Sequence, residues 1–404
     1  MIARSIPASD GGRRIAFFGL FGVSNIGNEA SLRTAISVAR RIEPNADLCC
    51  ICHDPIAVER EHGLPCTAIQ MGGAHEHLTR LPRVLRAAAW PLMELARWIA
   101  AYRFLRSVDV VIVPGTGILD DFGERPWGMP LSLLRWSLLT RLTRTRLAFV
   151  GIGAGPVQSR VSRLIFRLAL SFADNCSYRD TGSRDYMRSI GRDTQADGVI
   201  PDIVFALEVP HLEPVTDTMG VGVMAYYGWS NSQHKGEATY QRYIEALTET
   251  VKQLRADGWR IRLLVGEASD ERAVKDIMGR LACKSPEVNE LVASRITSMD
   301  DLIGELNRVG VVFATRYHNV VGALLAGRPV ISAGYAPKND WLLEQVGLRE
   351  YCQSVEDFRP SKVVESSRRL RKELPVRFRE ISAQTNEWKL LVEAGFRAAL
   401  ASKR

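Results

Sequence analysis

Apolar runs that stop at glycine recur along the first half of the chain, and they constrain its fold more than any other feature. "RRIAFFGLFG" (13–22), "VDVVIVPGTG" (108–117) and "RLAFVGIGAG" (146–155) each read as a predominantly apolar strand that ends in a loop. Helical segments separate them: "NEASLRTAISVARRIEP", which stops at Pro44, then "SLLRWSLLTRLTR" and "RVSRLIFRLALSFA". A strand that does not alternate apolar and polar residues must be covered on both faces, and intervening helices supply the cover. The pattern predicts a parallel sheet in an α/β domain.

The rhythm breaks at the proline-containing stretch "LEVPHLEPVTDT" (207–218) and then resumes. "MGVGVMAYYGW" is a strand, "ATYQRYIEALTETVKQLRADG" a helix and "WRIRLLVGE" a strand; "VVFAT", "NVVGALLAG" and "RPVISAG" read strand, helix, strand. At 404 residues the chain suits two cores better than one. We expect an α/β protein with two Rossmann-like domains facing a cleft, 1–210 and 215–375, and a helical tail, 376–404, packing back across it. No internal repeat or low-complexity segment is evident.

Charge is unevenly spread. Residues 1–200 hold 25 Arg, no Lys and 18 acids, so +7 of the chain's net +8 lies there. Such asymmetry favours an anionic partner on that side: a membrane surface, an acidic glycan or a lipid phosphate. "TRLPRVLRAAAWPLMELARWIAAYRFLR" (79–106) carries Arg80, Arg83, Arg86, Arg97, Arg103 and Arg106 against Glu94, with Trp90, Trp98 and Tyr102 on an apolar background. Between Glu124 and Asp174 there is no acid, while Arg135, Arg141, Arg144, Arg146, Arg160, Arg163 and Arg167 occur. These segments fit either peripheral contact with an anionic membrane or a packed core with a solvated arginine face. Pro91 is expected to break any long helix in the first.

The seven cysteines (Cys49, Cys50, Cys52, Cys66, Cys176, Cys283, Cys352) form no CxxC pair, and the histidines show no ligand spacing. "LCCICH" reads as a buried strand, no metal or cofactor is expected, and the odd count suits a reducing compartment. "IAFFGLFG" reads as a first strand rather than a signal peptide, and no uncharged apolar stretch is long enough to span a bilayer. We place the chain in the cytoplasm, with peripheral contact at the inner face of the plasma membrane.

Ligands of open α/β sheets bind outside the carboxyl ends of the strands, where glycine admits close backbone approach. None of the glycine loops has the GxGxxG or GxxxxGK[ST] spacing, which disfavours a plain dinucleotide-dependent oxidoreductase. The second half offers charged groups at the same kind of place. In "TRYHNVVGALLAGRPVISAGYAPKNDWL" (315–342), Arg316 and His318 follow one buried-looking strand and Lys338 follows the next.

This stretch resembles the C-terminal signature of the polysaccharide pyruvyl transferases: Arg-x-His opening a helix, Ala-Gly-x-Pro-Val turning into a strand, then Tyr-x-Pro-Lys. "GLFGVSNIGNEASL" is similar to the family's N-terminal Asn-x-Gly-Asp-Glu segment, with Asn28 in place of the Asp. "VPGTGILDD" resembles its second glycine loop, with Thr116 where glycine is commoner, and "GIGAGP" its third. "SYRDTGSRDYMRSIG" and "ADGVIPDIVFAL" resemble the segments that follow.

The resemblance implies a fold similar to that of the GT-B glycosyltransferases. It also implies transfer of pyruvate from phosphoenolpyruvate (PEP), as co-substrate, to two hydroxyls of a sugar in a glycan or glycolipid precursor, with a cyclic ketal formed and phosphate released. On that reading His318 is the acid/base, Arg316 and Lys338 take the donor's charges, and Arg179 completes the anion cage from the first domain. Asn25, Gly27, Glu29, Gly115, Gly117, Asp120, Asp121, Gly153 and Gly155 are placed on the acceptor side of the cleft.

The residue types leave other roles open. Arg316 could sit in a surface salt bridge, His318 could be structural, and Lys338 could be an exposed lysine after a proline turn. Asp120 and Asp121 could cap the next element, and Asn25 and Glu29 could serve only the start of a helix. Neither Arg316 nor His318 is assigned to a core. Competing functions are a GT-B nucleotide-sugar glycosyltransferase, with Arg316 and Lys338 on a diphosphate, and a non-catalytic sugar- or anion-binding protein.

Overall fold

The computed structural model describes residues 12–23, 25–70, 83–121, 124–228, 233–266, 270–282, 291–294 and 296–401. The chain divides into two compact units: Met1–Val23 with Ser31–Ala206 and Leu390–Arg404, and Ser24–Ala30 with Leu207–Lys389.

The first unit is built on a seven-stranded parallel sheet. Its strands are β1 (Arg14–Phe18), β2 (Asp47–Cys52), β3 (Cys66–Ala68), β4 (Val110–Pro114), β5 (Arg146–Ile152), β6 (Asn175–Tyr178) and β7 (Gly198–Val199), in the order β3-β2-β1-β4-β5-β6-β7. Helices α1 (Ile26–Ile42), α2 (Pro55–His62), α3 (Arg83–Leu105), α4 (Met129–Thr143), α5 (Arg160–Ser171) and α6 (Thr181–Ser189) connect them.

Successive side chains of a strand point to opposite faces, and here both faces are core. Phe18, Val111 and Phe149 pack with Phe104 of α3, Trp136 of α4 and Phe166 of α5. Phe17, Ile112 and Val150 pack with Leu32 of α1 and Val58 of α2 on the other side. Trp136 meets Phe18 and Phe104 edge-on at 6.2 and 6.0 Å, and its Nε1 donates to the carbonyl of Ile69 at 3.1 Å. The indole is thus buried with its one polar atom satisfied.

The second unit repeats the plan with a six-stranded sheet. Strands β8 (Thr218–Val223), β9 (Arg260–Val265), β10 (Leu291–Ala293), β11 (Val311–Ala314), β12 (Val330–Gly334) and β13 (Cys352–Ser354) run parallel in the order β10-β9-β8-β11-β12-β13. The helices are α7 (Gln233–Ala256), α8 (Glu271–Ala282), α9 (Met299–Leu306), α10 (Tyr317–Leu325), α11 (Pro337–Glu344) and α12 (Pro360–Leu400). In each sheet the opening strand, β1 or β8, lies between its successor and a later strand, β4 or β11. The connections leave in opposite directions there, which marks the switch point where such sheets bind ligands.

Two prolines lie inside helices, Pro91 against its sequence expectation. Pro91 lies inside α3, which runs unbroken for 23 residues, and Pro375 lies inside α12, which begins at Pro360 rather than near 376. A helix-interior proline forfeits one backbone bond and clashes with the preceding turn. Burial beyond it outweighs that cost. Ala101, Phe104 and Leu105 anchor α3 in the core, and Leu370, Leu374, Ile381 and Trp388 are buried on both sides of Pro375. No described helix is long and apolar enough to cross a membrane.

Candidate functional site

The switch point of the second unit gathers the groups singled out in 315–342. β11 ends at Ala314, and Arg316 takes an extended conformation (φ −70°, ψ 132°) as the residue that caps α10. His318 therefore sits in the first turn of α10. One strand over, β12 ends at Gly334 and α11 begins at Pro337, with Lys338 as its second residue. Two helix N-termini at the carboxyl ends of adjacent strands present a double concentration of N–H dipoles, and each carries a cation.

Each side chain is fixed by its neighbours. Arg316 donates to Asp270 through Nε at 2.9 Å and Nη2 at 2.7 Å. Asp270, just before α8, is fully buried and also accepts from the Ala225 N–H at 2.9 Å. A buried carboxylate needs such partners, so the pair is structural. This corrects both the surface salt bridge and the view that Arg316 lies apart from any core. Lys338 Nζ stands over the rings of Tyr335 (4.8 Å) and Tyr317 (5.4 Å), a cation–π arrangement that holds its direction. The half-buried His318 packs edge-on to Tyr317 at 5.4 Å.

The start of α1 clusters with this unit. Asn25 caps it, accepting from the N–H groups of Gly27 and Asn28 at 3.1 Å each, and Glu29 lies in its first turn. Gly27 lies directly against the imidazole: a Cβ built there would be 2.0 Å from Cε1 of His318 and 2.1 Å from Nε2. No other residue type fits without moving His318.

Two residues at this switch point carried no sequence signal. Asp270 sits in "SDERAVK", which reads as an ordinary acidic helix start. Asn319 follows His318, is fully buried, and neither its Oδ1 nor its Nδ2 has a hydrogen-bond partner among the described residues. It lies beside two glycines, Gly222 at 2.8 Å from Nδ2 and Gly266 at 3.2 Å from Oδ1, measured to an ideal Cβ. A buried amide without partners is expensive. The backbone behind it is rigid: Asn339 Nδ2 donates to the Thr315 carbonyl at 3.2 Å and to Ser332 Oγ at 3.1 Å.

The remaining candidates lie in the first unit, around its own glycine loops. Gly115 adopts φ +47°, and a Cβ there would be 2.3 Å from Ile203, so both backbone and space demand glycine. The two loops are tied together: Gly153 N–H donates to the Thr116 carbonyl at 3.0 Å and Gly155 N–H to the Leu119 carbonyl at 3.2 Å. Asp120 Oδ2 stands 3.8 Å from ideal Cβ positions at both Gly117 and Gly155. Asp121 accepts from the N–H groups of Gln158 and Ser159 at 2.8 and 2.9 Å, so it fastens the loop leading into α5. Arg179 packs on Gly153 and has carboxylates on two sides, Asp180 at 3.6 Å and Asp202 at 3.7 Å.

One thiol grouping went unrecognised in the sequence. Cys50 and Cys52 share a face of β2, and Cys66 pairs with Cys50 across β3. Their sulfurs lie within 4.8 Å of one another. The signal was split between "CCIC" and a cysteine 14 positions on, which only the sheet brings together.

A family model for polysaccharide pyruvyl transferase matches residues 25–337, a span that includes the Arg-x-His and Lys338's preceding turn. No curated protein matches the chain. Among solved structures, UDP-GlcNAc 2-epimerase from Neisseria meningitidis bound to UDP-GlcNAc is similar with a TM-score of 0.61 at 10% identity, covering 96% of this chain and 99% of that one. Anabaena Alr3699/HepE in complex with UDP and glucose gives a TM-score of 0.59 at 14% identity, with coverage of 96% and 99%. At these identities the likeness is one of fold, and it agrees with two parallel sheets of the GT-B kind.

Proposed function

Because the chain belongs to the polysaccharide pyruvyl transferase family, we propose that it transfers the pyruvyl group of PEP to two hydroxyls of a glycan sugar. The observation that carries this reading is the pairing of two helix N-termini, one holding Arg316 and His318, the other Lys338, at the carboxyl ends of adjacent strands. PEP is a small skeleton bearing a carboxylate and a phosphate. A guanidinium suits a planar anion and an ammonium suits a phosphate as a point charge.

In the proposed reaction His318, as imidazolium, gives its proton to the C3 methylene of PEP, and positive charge develops at C2. A sugar hydroxyl oxygen bonds to C2 and its proton passes to the now neutral imidazole. The C2–O bond to phosphorus's oxygen then breaks and phosphate departs with the electron pair. The second hydroxyl bonds to C2, losing its proton to phosphate, and the cyclic ketal is complete. Histidine suits this exchange because its ordinary pKa lies near neutrality. Gly27 lets the start of α1 lie directly against the imidazole and so limits where the ring can sit. Arg316, held by Asp270, stays aimed as charge shifts to the departing group. Asn319, fully buried, is given to positioning the α10 turn from behind and not to substrate contact, and the glycine loops with Asp120 are given to the acceptor.

Calorimetry with PEP, beside phosphate release in the presence of glycan acceptors, tests the reading. PEP binding and acceptor-dependent phosphate release are expected. If PEP is not bound and a UDP-sugar is consumed instead, Arg316 and Lys338 hold a diphosphate and the protein is a glycosyltransferase.

A further inference from the structure

The outer face of the first unit carries two apolar stripes among arginines that the proposed chemistry does not use. On α3, Leu92, Leu95, Ile99 and Tyr102 recur at helical spacing and are exposed, Leu92 by 72%. On α5, Val161, Leu164 and Leu168 do the same, Leu164 by 52%. α4 packs between these helices and exposes Leu142. Exposed single apolar residues are ordinary, but aligned stripes on neighbouring helices are not.

The described exposed charges on these three helices have one sign. Arg103, Arg106, Arg141, Arg144, Arg160 and Arg167 are exposed, and none of them forms an ion pair among the described residues. Glu94, the acid of α3, is turned inward: its carboxylate takes Arg135 at 2.5 Å and Arg97 at 3.2 Å. Arg80 lies outside the described residues, as do the side chains of Arg83, Arg86 and Trp90.

We infer that the α3–α4–α5 face docks on the surface of an anionic phospholipid bilayer, with the stripes entering the headgroup boundary and the arginines meeting lipid phosphates. Charge complementarity selects this occupant. A second copy of the same face would bring arginine against arginine, and a neutral surface would leave the cations without partners. The contact is peripheral, since no described helix can span the bilayer.

Co-sedimentation of the full chain with vesicles tests this independently of catalysis. Vesicles of phosphatidylcholine with phosphatidylglycerol are expected to carry the protein down, pure phosphatidylcholine much less, and added salt to release it. Leu95→Glu with Ile99→Glu, and separately Arg160→Gln with Arg167→Gln, should each lower partitioning by roughly tenfold or more. All four positions are exposed, so melting temperature and PEP binding should not change. Equal partitioning to both vesicle types, or no response to either pair of substitutions, overturns the inference. So does a dimer in ultracentrifugation that the Leu95→Glu/Ile99→Glu variant dissolves, since the stripes would then face a second copy.

Discussion

Arg316 and Asp270 form a two-pronged ion pair, at 2.9 and 2.7 Å, in which the carboxylate has no exposed surface. Removing one member of such a pair strands the other. Arg316→Met should cost about 3–5 kcal/mol of stability, whereas Asp270→Asn should cost less and weaken PEP binding by letting the guanidinium swing. Arg316→Lys keeps the charge, loses the fork, and should lower both PEP affinity and turnover. Thermal melts read beside PEP calorimetry separate these effects. Melting temperatures unchanged in all three variants would mean that the pair holds nothing together.

His318 and Gly27 should fail together in turnover but not in fold. His318→Gln should leave PEP affinity near that of the wild type and reduce turnover by about 10²–10⁴-fold, flattening one limb of the pH–rate profile. Gly27→Ala displaces the imidazole and should reproduce part of that loss with the pH limb retained. Wild-type phosphate release in His318→Gln would make the histidine structural.

Asn319 offers a sharper contrast between stability and activity. Replacing a buried, unsatisfied amide with an apolar group of the same shape is often neutral or stabilising. Asn319→Leu should therefore melt at or above the wild-type temperature while PEP binding or turnover drops. A variant with lower stability and full activity would show that the amide serves the fold alone.

The thiols should differ in reactivity by position. Burial pushes Cys49 and Cys176 up to about 12, so both stay protonated at neutral pH. Hydrogen bonding from Cys50 and then Cys52 holds the half-buried Cys66 well below the ordinary thiol range. A thiol lowered in this way gains little further thiolate as the pH rises above neutrality. The alkylation rate of Cys66 in the folded protein should stay flat from pH 7 to 9, read by peptide mass spectrometry, while Cys49 and Cys176 remain unmodified. A rate climbing with pH as for a free thiol of pKa about 8.5 would show that the neighbouring sulfurs do not stabilise its charge.

Much of this was legible in the sequence, for physical reasons. Long apolar strands ending in glycine have few alternatives to a covered parallel sheet, so β1, β4, β5, β8, β11 and β12 could be read directly, together with the residues just beyond them. Edge strands such as β3, β7 and β10, of three residues or fewer, bury too little to leave a pattern. Asp270 was illegible because its role depends on a partner distant in sequence, Arg316, 46 positions away, and Asn319 because its complete burial follows from packing that a lone Asn beside His318 does not announce. Asp121 illustrates the reverse. Its position after a glycine loop fitted a ligand role and a capping role equally, and only the N–H groups of Gln158 and Ser159 distinguish them.

The long helix α12 has a consequence for assembly. Its residues 360–389 belong to the second unit, while Val392, Phe396, Ala399 and Leu400 lie in the core of the first, where the Leu400 carbonyl accepts from Arg13 at 2.6 Å. On a translating ribosome the first sheet is therefore complete in strands long before it is complete in core. It must wait, with one flank uncovered, until the whole second unit has emerged. Trimming the chain at 389 should damage the half of the protein that was made first.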